Sequence, residues 1–195
     1  MGIAASYHGW LVGVPINNPA SVTAWATSAI GGGIWSAGGV ASDGTNPFVT
    51  TGNTSNLRIW SGGEAVIRFQ PGPIFSGNSS DYWVPVNWSS LDQSDRRLRS
   101  CGPVTGGRAG RNALPSRRRK WAKMNTRIYL IAITLVVSRA PIAEARVAFS
   151  YIYGGPAAYR TNQGTYVAFR AGADALRDFP HYCNQSTCHR QTDGV

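Results

Sequence analysis

The sequence is poor in charged residues, which make up 14% of its 195 positions against about 25% in a typical soluble domain. This scarcity excludes a coiled coil, a long helical bundle and a highly charged disordered tail. Glycine is abundant at 23 residues, but it is far below one residue in three and has no three-residue period, so a collagen-like fibre is also excluded. The hydrophobic content of 43% is sufficient for a core in one ordinary domain or two small ones.

Catalytic signatures are also missing. The chain has no Gly-x-Ser-x-Gly, no phosphate loop ending in Gly-Lys-Ser/Thr and no His-Glu-x-x-His. Its nine carboxylates are scattered, without the paired arrangement that glycosidases use. We therefore expect a non-enzymatic protein, and we assign it no catalytic residue, no cofactor and no metal.

No apolar run reaches the length of about 20 residues that a membrane-spanning helix needs. The run 128–137 is uncharged but has only ten residues, so we expect no transmembrane span. Two interpretations of it remain open. It is either a buried central strand rich in Ile and Val or, with 123–127 before it and 143–145 behind it, the apolar region of a signal peptide at a second start, Met124. We favour the buried strand.

Charge is distributed unevenly along the chain and suggests three regions. Residues 1–95 sum to −3, residues 96–127 to +11 and residues 128–195 to +2. We expect a Gly/Ser/Trp-rich β region at 1–91, a basic linker or arm at 92–123, and a third region at 124–195 that holds the apolar strand, a β-hairpin and a Cys-containing tail.

The basic arm is either a solvated linker or a contact surface. Its partners would be nucleic-acid phosphates, anionic lipid or an acidic protein surface. The candidate contact residues are Arg96, Arg97, Arg99, Arg108, Arg111, Arg117, Arg118, Arg119, Lys120 and Lys123.

Short apolar bursts separated by Gly, Ser, Thr and Asn predict a mainly β fold with little helix, long irregular loops and a sandwich or jelly-roll arrangement. A hairpin is predicted from 57–60 and 65–69 around the turn 61–64. In its second arm, Ala65, Ile67 and Phe69 share one face. The segment 82–88 is predicted to be extended and at a sheet edge, because Pro85 cannot donate a ladder hydrogen bond.

The C-terminal region gives three further predictions. Residues 147–153 alternate as a strand does. Residues 158–161 and 165–170 are predicted to form a hairpin with glycine near its turn, and 171–177 a short helix.

Six of the seven tryptophans lie in the first 88 residues, amid short polar side chains. They either fill the core and subunit interfaces, as large aromatics do, or present flat faces on which sugar rings stack. The candidate carbohydrate-binding residues are Trp10, Trp25, Trp35, Trp60, Trp83 and Trp88.

The chain has three cysteines, of which Cys183 and Cys188 lie close together between His181 and His189. We consider a disulfide between these two cysteines, two reduced thiols, or a zinc cluster with the histidines. The zinc interpretation is the weakest, because the adjacent Cys188 and His189 cannot easily bind one metal.

These patterns favour a structural or assembly protein, such as a virion or phage particle component (capsid or tail) or a subunit of an extracellular assembly. Such a protein would form a homo-oligomer or a larger assembly, with a virion or an extracellular surface as its location. A carbohydrate-binding β domain is the first alternative, and nucleic-acid binding through the basic arm is the second.

Overall fold

A computed structural model describes residues 7–35, 38–54 and 59–93 and, further along, a set of strands and short segments. These later segments are 104–105, 119–124, 127–132, 143–146, 155–160, 162, 165–170, 176–184 and 187–190. The described residues form mostly strands in small antiparallel sheets, with little helix, as the sequence predicts.

The first 93 residues contain six strands, a 3-10 turn and a helix in their described part. These elements are β1 (Trp10–Gly13), β2 (Thr23–Ala26), β3 (Ala41–Ser42), β4 (Pro47–Thr50), β5 (Val66–Arg68), the 3-10 turn Ser79–Asp81, β6 (Tyr82–Trp83) and α1 (Trp88–Gln93).

Eight more strands are described beyond α1. They are β7 (Val104–Thr105), β8 (Arg119–Met124), β9 (Arg127–Ala132), β10 (Ala143–Arg146), β11 (Ala157–Arg160), β12 (Thr165–Arg170), β13 (Leu176–Asn184) and β14 (Thr187–Arg190).

The strands make one two-stranded sheet, β1-β2, and three four-stranded sheets. The orders are β3-β4-β5-β6, β10-β9-β8-β7 and β11-β12-β13-β14, and every pairing is antiparallel. Within each sheet the strands therefore follow one another in chain order, so each sheet is a meander.

The described core surrounds β5, in which Val66 and Ile67 are both fully buried. Val49, Ala65, Ile67, Phe69 and Val84 form a buried cluster. The prediction that Ala65, Ile67 and Phe69 share a face is confirmed, because all three are fully buried in this cluster.

The β1-β2 hairpin packs against this cluster through its inner face. Leu11 and Trp25 are opposite each other in the register and both contact the cluster. The Trp25 ring lies edge-on to Phe69, with centroids 4.9 Å apart, and to Phe75, at 5.8 Å. Such edge-to-face pairs stabilise a core beyond the area that they bury.

The hairpin predicted from 57–60 and 65–69 is wrong. Ile59 and Trp60 lie in no strand, residues 57–58 are outside the described part, and β5 pairs instead with β4 and β6. The reason is a longer-range ladder: the backbone N–H of Thr51 donates to the carbonyl of Ala65 (2.9 Å), and that of Glu64 donates to Gly52 (3.0 Å).

The segment 61–64 is a loop in which only one of its two glycines has a positive φ. Positive φ angles fall at Gly62 (98°) and at Glu64 (48°), whereas Gly63 is not in that region. The indole N–H of Trp60 donates to the Gly63 carbonyl at 2.5 Å and closes the loop.

The segment 82–88 is extended only at β6, which is the edge strand of its sheet. Pro85 follows this strand, and the chain turns into α1 at Trp88, so the last part of the predicted strand is wrong. The Asp92 carboxylate on α1 accepts a hydrogen bond from the backbone N–H of Thr54 at 2.6 Å, which ties the helix to the loop after β4.

A partly buried ion pair joins β5 to the 3-10 turn. The Arg68 Nε donates to the Asp81 carboxylate at 2.7 Å, and the Ser76 hydroxyl donates to the same carboxylate. Asp81 is 5% exposed. Removing Arg68 would leave the buried Asp81 carboxylate without its cation, which is destabilising.

The C-terminal predictions have mixed outcomes. The hairpin of 158–161 and 165–170 is confirmed by the pairing of β11 with β12. The helix predicted at 171–177 is wrong at its end, because residues 176–177 begin β13 and pair with β12. Residues 171–175 and the strand predicted at 147–153 lie outside the described residues.

The apolar run 128–137 is a strand in its described part. β9 covers its first residues and has β10 on one side and β8 on the other, so it is an interior strand of its sheet. Residues 133–137 lie outside the described part.

Candidate functional site

The most unusual described surface is the outer face of the β1-β2 hairpin. Strand alternation places Leu11 and Trp25 on the inner face and Trp10, Val12 and Ala24 on the outer one. Trp10 is 62% exposed and Val12 is 54% exposed. An antiparallel hairpin that packs one face on a core normally shows polar residues on the other, and this one does not.

The apolar surface continues into the loop that joins the two strands. Val14 and Val22 flank β1 and β2 and are 52% and 59% exposed, and Ile16 is 98% exposed. Two consecutive turns shape this loop: the Asn18 N–H donates to the Pro15 carbonyl and the Ser21 N–H to the Asn18 carbonyl. We call Trp10, Val12, Val14, Ile16, Val22 and Ala24 the outer face.

The outer face also lacks charge. No Asp, Glu, Lys or Arg precedes Asp43 in the sequence. Single exposed apolar residues are ordinary, but several grouped in one uncharged stretch are typical of interaction surfaces. Sequence reasoning missed the valines of this face, because Trp10, Leu11 and Val12 are consecutive apolar residues and do not alternate with polar ones. The lack of charge before Asp43 is the signal that could have pointed to it.

The six candidate tryptophans divide into two groups. Trp83 is buried at 4% exposure, and Trp25, Trp60 and Trp88 are half-buried and pack against the core cluster. Trp60 also stacks on Tyr82, with ring centroids 4.2 Å apart. These four pack on the core to different extents, whereas Trp10 and Trp35 are the exposed members of the six.

Trp35 belongs to a second exposed aromatic group. It is 41% exposed, and Tyr7, which is 39% exposed, lies edge-on to it with ring centroids 6.5 Å apart. Gly33 and Gly52 allow this arrangement, because a Cβ at either position would meet the indole at about 3 Å or less. The ring is therefore held by close backbone packing on one side.

The basic candidates are described only in β8. Arg119, Lys120 and Lys123 lie in this strand, opposite Ala132, Ile131 and Ile128 of β9. Arg96, Arg97, Arg99, Arg108, Arg111, Arg117 and Arg118 lie outside the described residues.

The two candidate cysteines are brought together by the backbone. Cys183 in β13 is the register partner of Cys188 in β14. Cys101 lies outside the described residues.

Neither a metal centre nor a membrane helix is found in the described part of the chain. Among those residues, no group of three or more His, Cys, Asp or Glu side chains is placed to hold a metal ion, and no helix has the length and hydrophobicity to cross a bilayer.

Comparisons with protein-family models, with curated proteins and with solved structures found no match to this chain.

Proposed function

We propose that this chain is a non-enzymatic structural or assembly protein whose copies associate through the outer face of the β1-β2 hairpin. The setting that we propose is a virion or phage particle, or an extracellular assembly. The observation that carries the proposal is the row of exposed apolar residues on a hairpin whose other face is already packed on the core.

The occupant that we propose for the outer face is a second copy of the chain. The face has no charge with which to select a charged partner, whereas two copies of one apolar face complement each other about a two-fold axis. Trp10 is the expected centre of the contact, since tryptophan is enriched at the energetic centres of interfaces. The proposal includes packing of the small sheets as a sandwich or jelly roll.

Sedimentation velocity of the full chain over a range of concentrations tests this proposal. We expect dimers or larger species whose fraction rises with concentration. Val12→Lys should weaken association by at least about tenfold, because it buries an unpaired ammonium in the contact. A monodisperse monomer at the highest concentration would overturn the proposal.

Val40→Lys is the matched control for this experiment. Val40 is 50% exposed, close to the 54% of Val12, and lies outside the outer face, immediately before β3. The same substitution there adds the same charge, so it should leave association unchanged. If both variants weaken association equally, the effect comes from the added net charge and not from the outer face.

Carbohydrate binding is the second candidate, supported by the exposure of Trp35 beside Tyr7. Binding on a glycan array that is lost in Trp35→Ala and kept in Val12→Lys would favour it over assembly. Nucleic-acid binding is a further candidate, supported by the net charge of +11 over residues 96–127. An affinity for DNA or RNA that falls steeply with salt would favour that function.

A further inference from the structure

The C-terminal hairpin places two cysteines at facing positions. β13 and β14 are antiparallel, with Cys183 opposite Cys188 and Asn184 opposite Thr187. Only two residues, 185–186, separate the paired positions nearest the turn. A hairpin with such a short connection has its register fixed by the loop length, so the pairing of the cysteines follows from their spacing.

The same register separates the two neighbouring histidines. His181 lies opposite Arg190, and Tyr182 lies opposite His189. Because successive positions alternate between the faces of a strand, His181 shares a face with both cysteines, whereas His189 belongs to the other face. A tetrahedral zinc site from two cysteines and two histidines would need all four on one side.

We propose that Cys183 and Cys188 form a disulfide across the β13-β14 hairpin. Directly opposite residues of an antiparallel pair have Cα atoms about 4.5 Å or about 5.5 Å apart, depending on the type of pair. Both separations fall within the range of about 4.4–6.8 Å that a disulfide spans. The backbone therefore needs no rearrangement for the bond to form.

The oxidant in this proposal is a small-molecule disulfide such as oxidised glutathione. The thiolate of one cysteine attacks a glutathione sulfur, which forms a mixed disulfide and releases one glutathione thiolate. The second cysteine, as its thiolate, then attacks the protein sulfur of that mixed disulfide and releases the second glutathione. The cysteine pair loses two electrons and two protons, and oxidised glutathione becomes two molecules of glutathione.

The disulfide would fix the end of the β11-β12-β13-β14 sheet, because it joins the last two strands covalently. The disulfide proposal does not depend on the proposed assembly function. An oxidising compartment would hold the bond closed, as is usual for extracellular proteins, while a reducing one would leave the hairpin with its backbone hydrogen bonds alone.

Peptide mapping of the full chain tests the disulfide directly. Trypsin releases residues 178–190 as one peptide that holds Cys183 and Cys188 but not Cys101. After equilibration with oxidised and reduced glutathione and alkylation, we expect this peptide two hydrogens lighter and without alkyl groups. The oxidation equilibrium constant should be at least about tenfold larger for the native chain than in 6 M guanidinium, a difference of about 30 mV in potential.

The double variant Thr187→Cys with Cys188→Ala is the matched control. It keeps two cysteines in the same peptide but moves one to the opposite face of β14, so the native advantage of about tenfold should vanish. Three results would overturn the proposal. They are alkylation of both cysteines in the wild-type chain, a bond from either of them to Cys101, and equal oxidation equilibrium constants in native and denatured chains. Stoichiometric zinc bound to reduced protein and lost in His181→Ala would overturn it as well.

Discussion

Among the glycines described, Gly63 in the loop 61–64 before β5 has the least room for a side chain. A Cβ on Gly63 would overlap the side chain of Thr54 and approach the Gly52 carbonyl to 2.9 Å. Gly63→Ala should therefore lower the free energy of unfolding by about 2 kcal/mol, as measured by urea denaturation. Unchanged stability would show that Thr54 moves freely and that the loop is not tightly packed.

Gln93→Ala provides the baseline for that measurement. Gln93 is exposed at the end of α1, and exposed substitutions of this kind change stability by less than about 0.5 kcal/mol. The effect at Gly63 is steric, since Gly63 has no positive φ. Gly62 has φ 98° and its Cβ would meet only Thr27 at 4.0 Å, so there a substitution is opposed by backbone strain.

Residue-level prediction from the sequence succeeded where periodicity decides and failed where packing decides. Alternation was enough to place Ala65, Ile67 and Phe69 on one face, where they join the same buried cluster. Alternation gave no sign that the two glycines have different roles. Gly62 adopts a positive φ in the turn, whereas Gly63 lies too close to neighbouring atoms to carry a side chain. That distinction depends on Thr54, nine positions away, and on the ladder between β4 and β5.

At the scale of elements, Trp25 is the main anchor of the β1-β2 hairpin. Its ring packs on Phe69 and Phe75, and a two-stranded hairpin is marginal without such packing. Trp25→Ala should lower the free energy of unfolding by about 3 kcal/mol. Hydrogen exchange should also accelerate more at the amides of β1 and β2 than at those of β4 and β5.

Trp10→Ala tests whether the faster hydrogen exchange in β1 and β2 results from loss of packing on the inner face. Trp10 lies on the same strand pair but is 62% exposed, so its removal should hardly change hydrogen exchange in a dilute, monomeric sample. Equal acceleration by both substitutions would mean that the hairpin is held by its outer face, contrary to the packing described here.

Element prediction from the sequence depended on how far apart the paired segments lie. The hairpin of β11 and β12 was predicted correctly because four residues connect the two strands and the pairing is local. The partner of β5 was missed because β4 lies well before it in the chain, and a loop at 61–64 resembles a hairpin turn in sequence. The inner and outer faces of β1 and β2 were likewise unassigned, since both are apolar.

At the scale of the whole molecule, the buried cluster around β5 draws all its described members from the N-terminal half. Every member of the buried cluster and every side chain packed on it lies between Leu11 and Trp88, and the ion pair of Arg68 and Asp81 lies in the same stretch. Residues 1–93 expressed alone should therefore unfold cooperatively in urea, with the same midpoint as the corresponding transition of the full chain. A non-cooperative fragment would mean that later residues complete this core.

For the C-terminal half, we expect that a fragment beginning within β8 does not fold alone, because β9 would lose a neighbouring strand. β9 is paired with β8 on one side and β10 on the other, and a fragment of residues 124–195 removes β8 except for Met124. Its Ile- and Leu-bearing edge would then be open to other chains, so we expect this fragment to aggregate. The fragment 104–195 restores β7 and β8 and serves as the comparison. If the fragment 104–195 is soluble and unfolds cooperatively while 124–195 aggregates, the sheet is complete within the C-terminal half. If both fragments aggregate, β9 needs cover from residues before 104. A folded 124–195 fragment would contradict the pairing of β9 with β8.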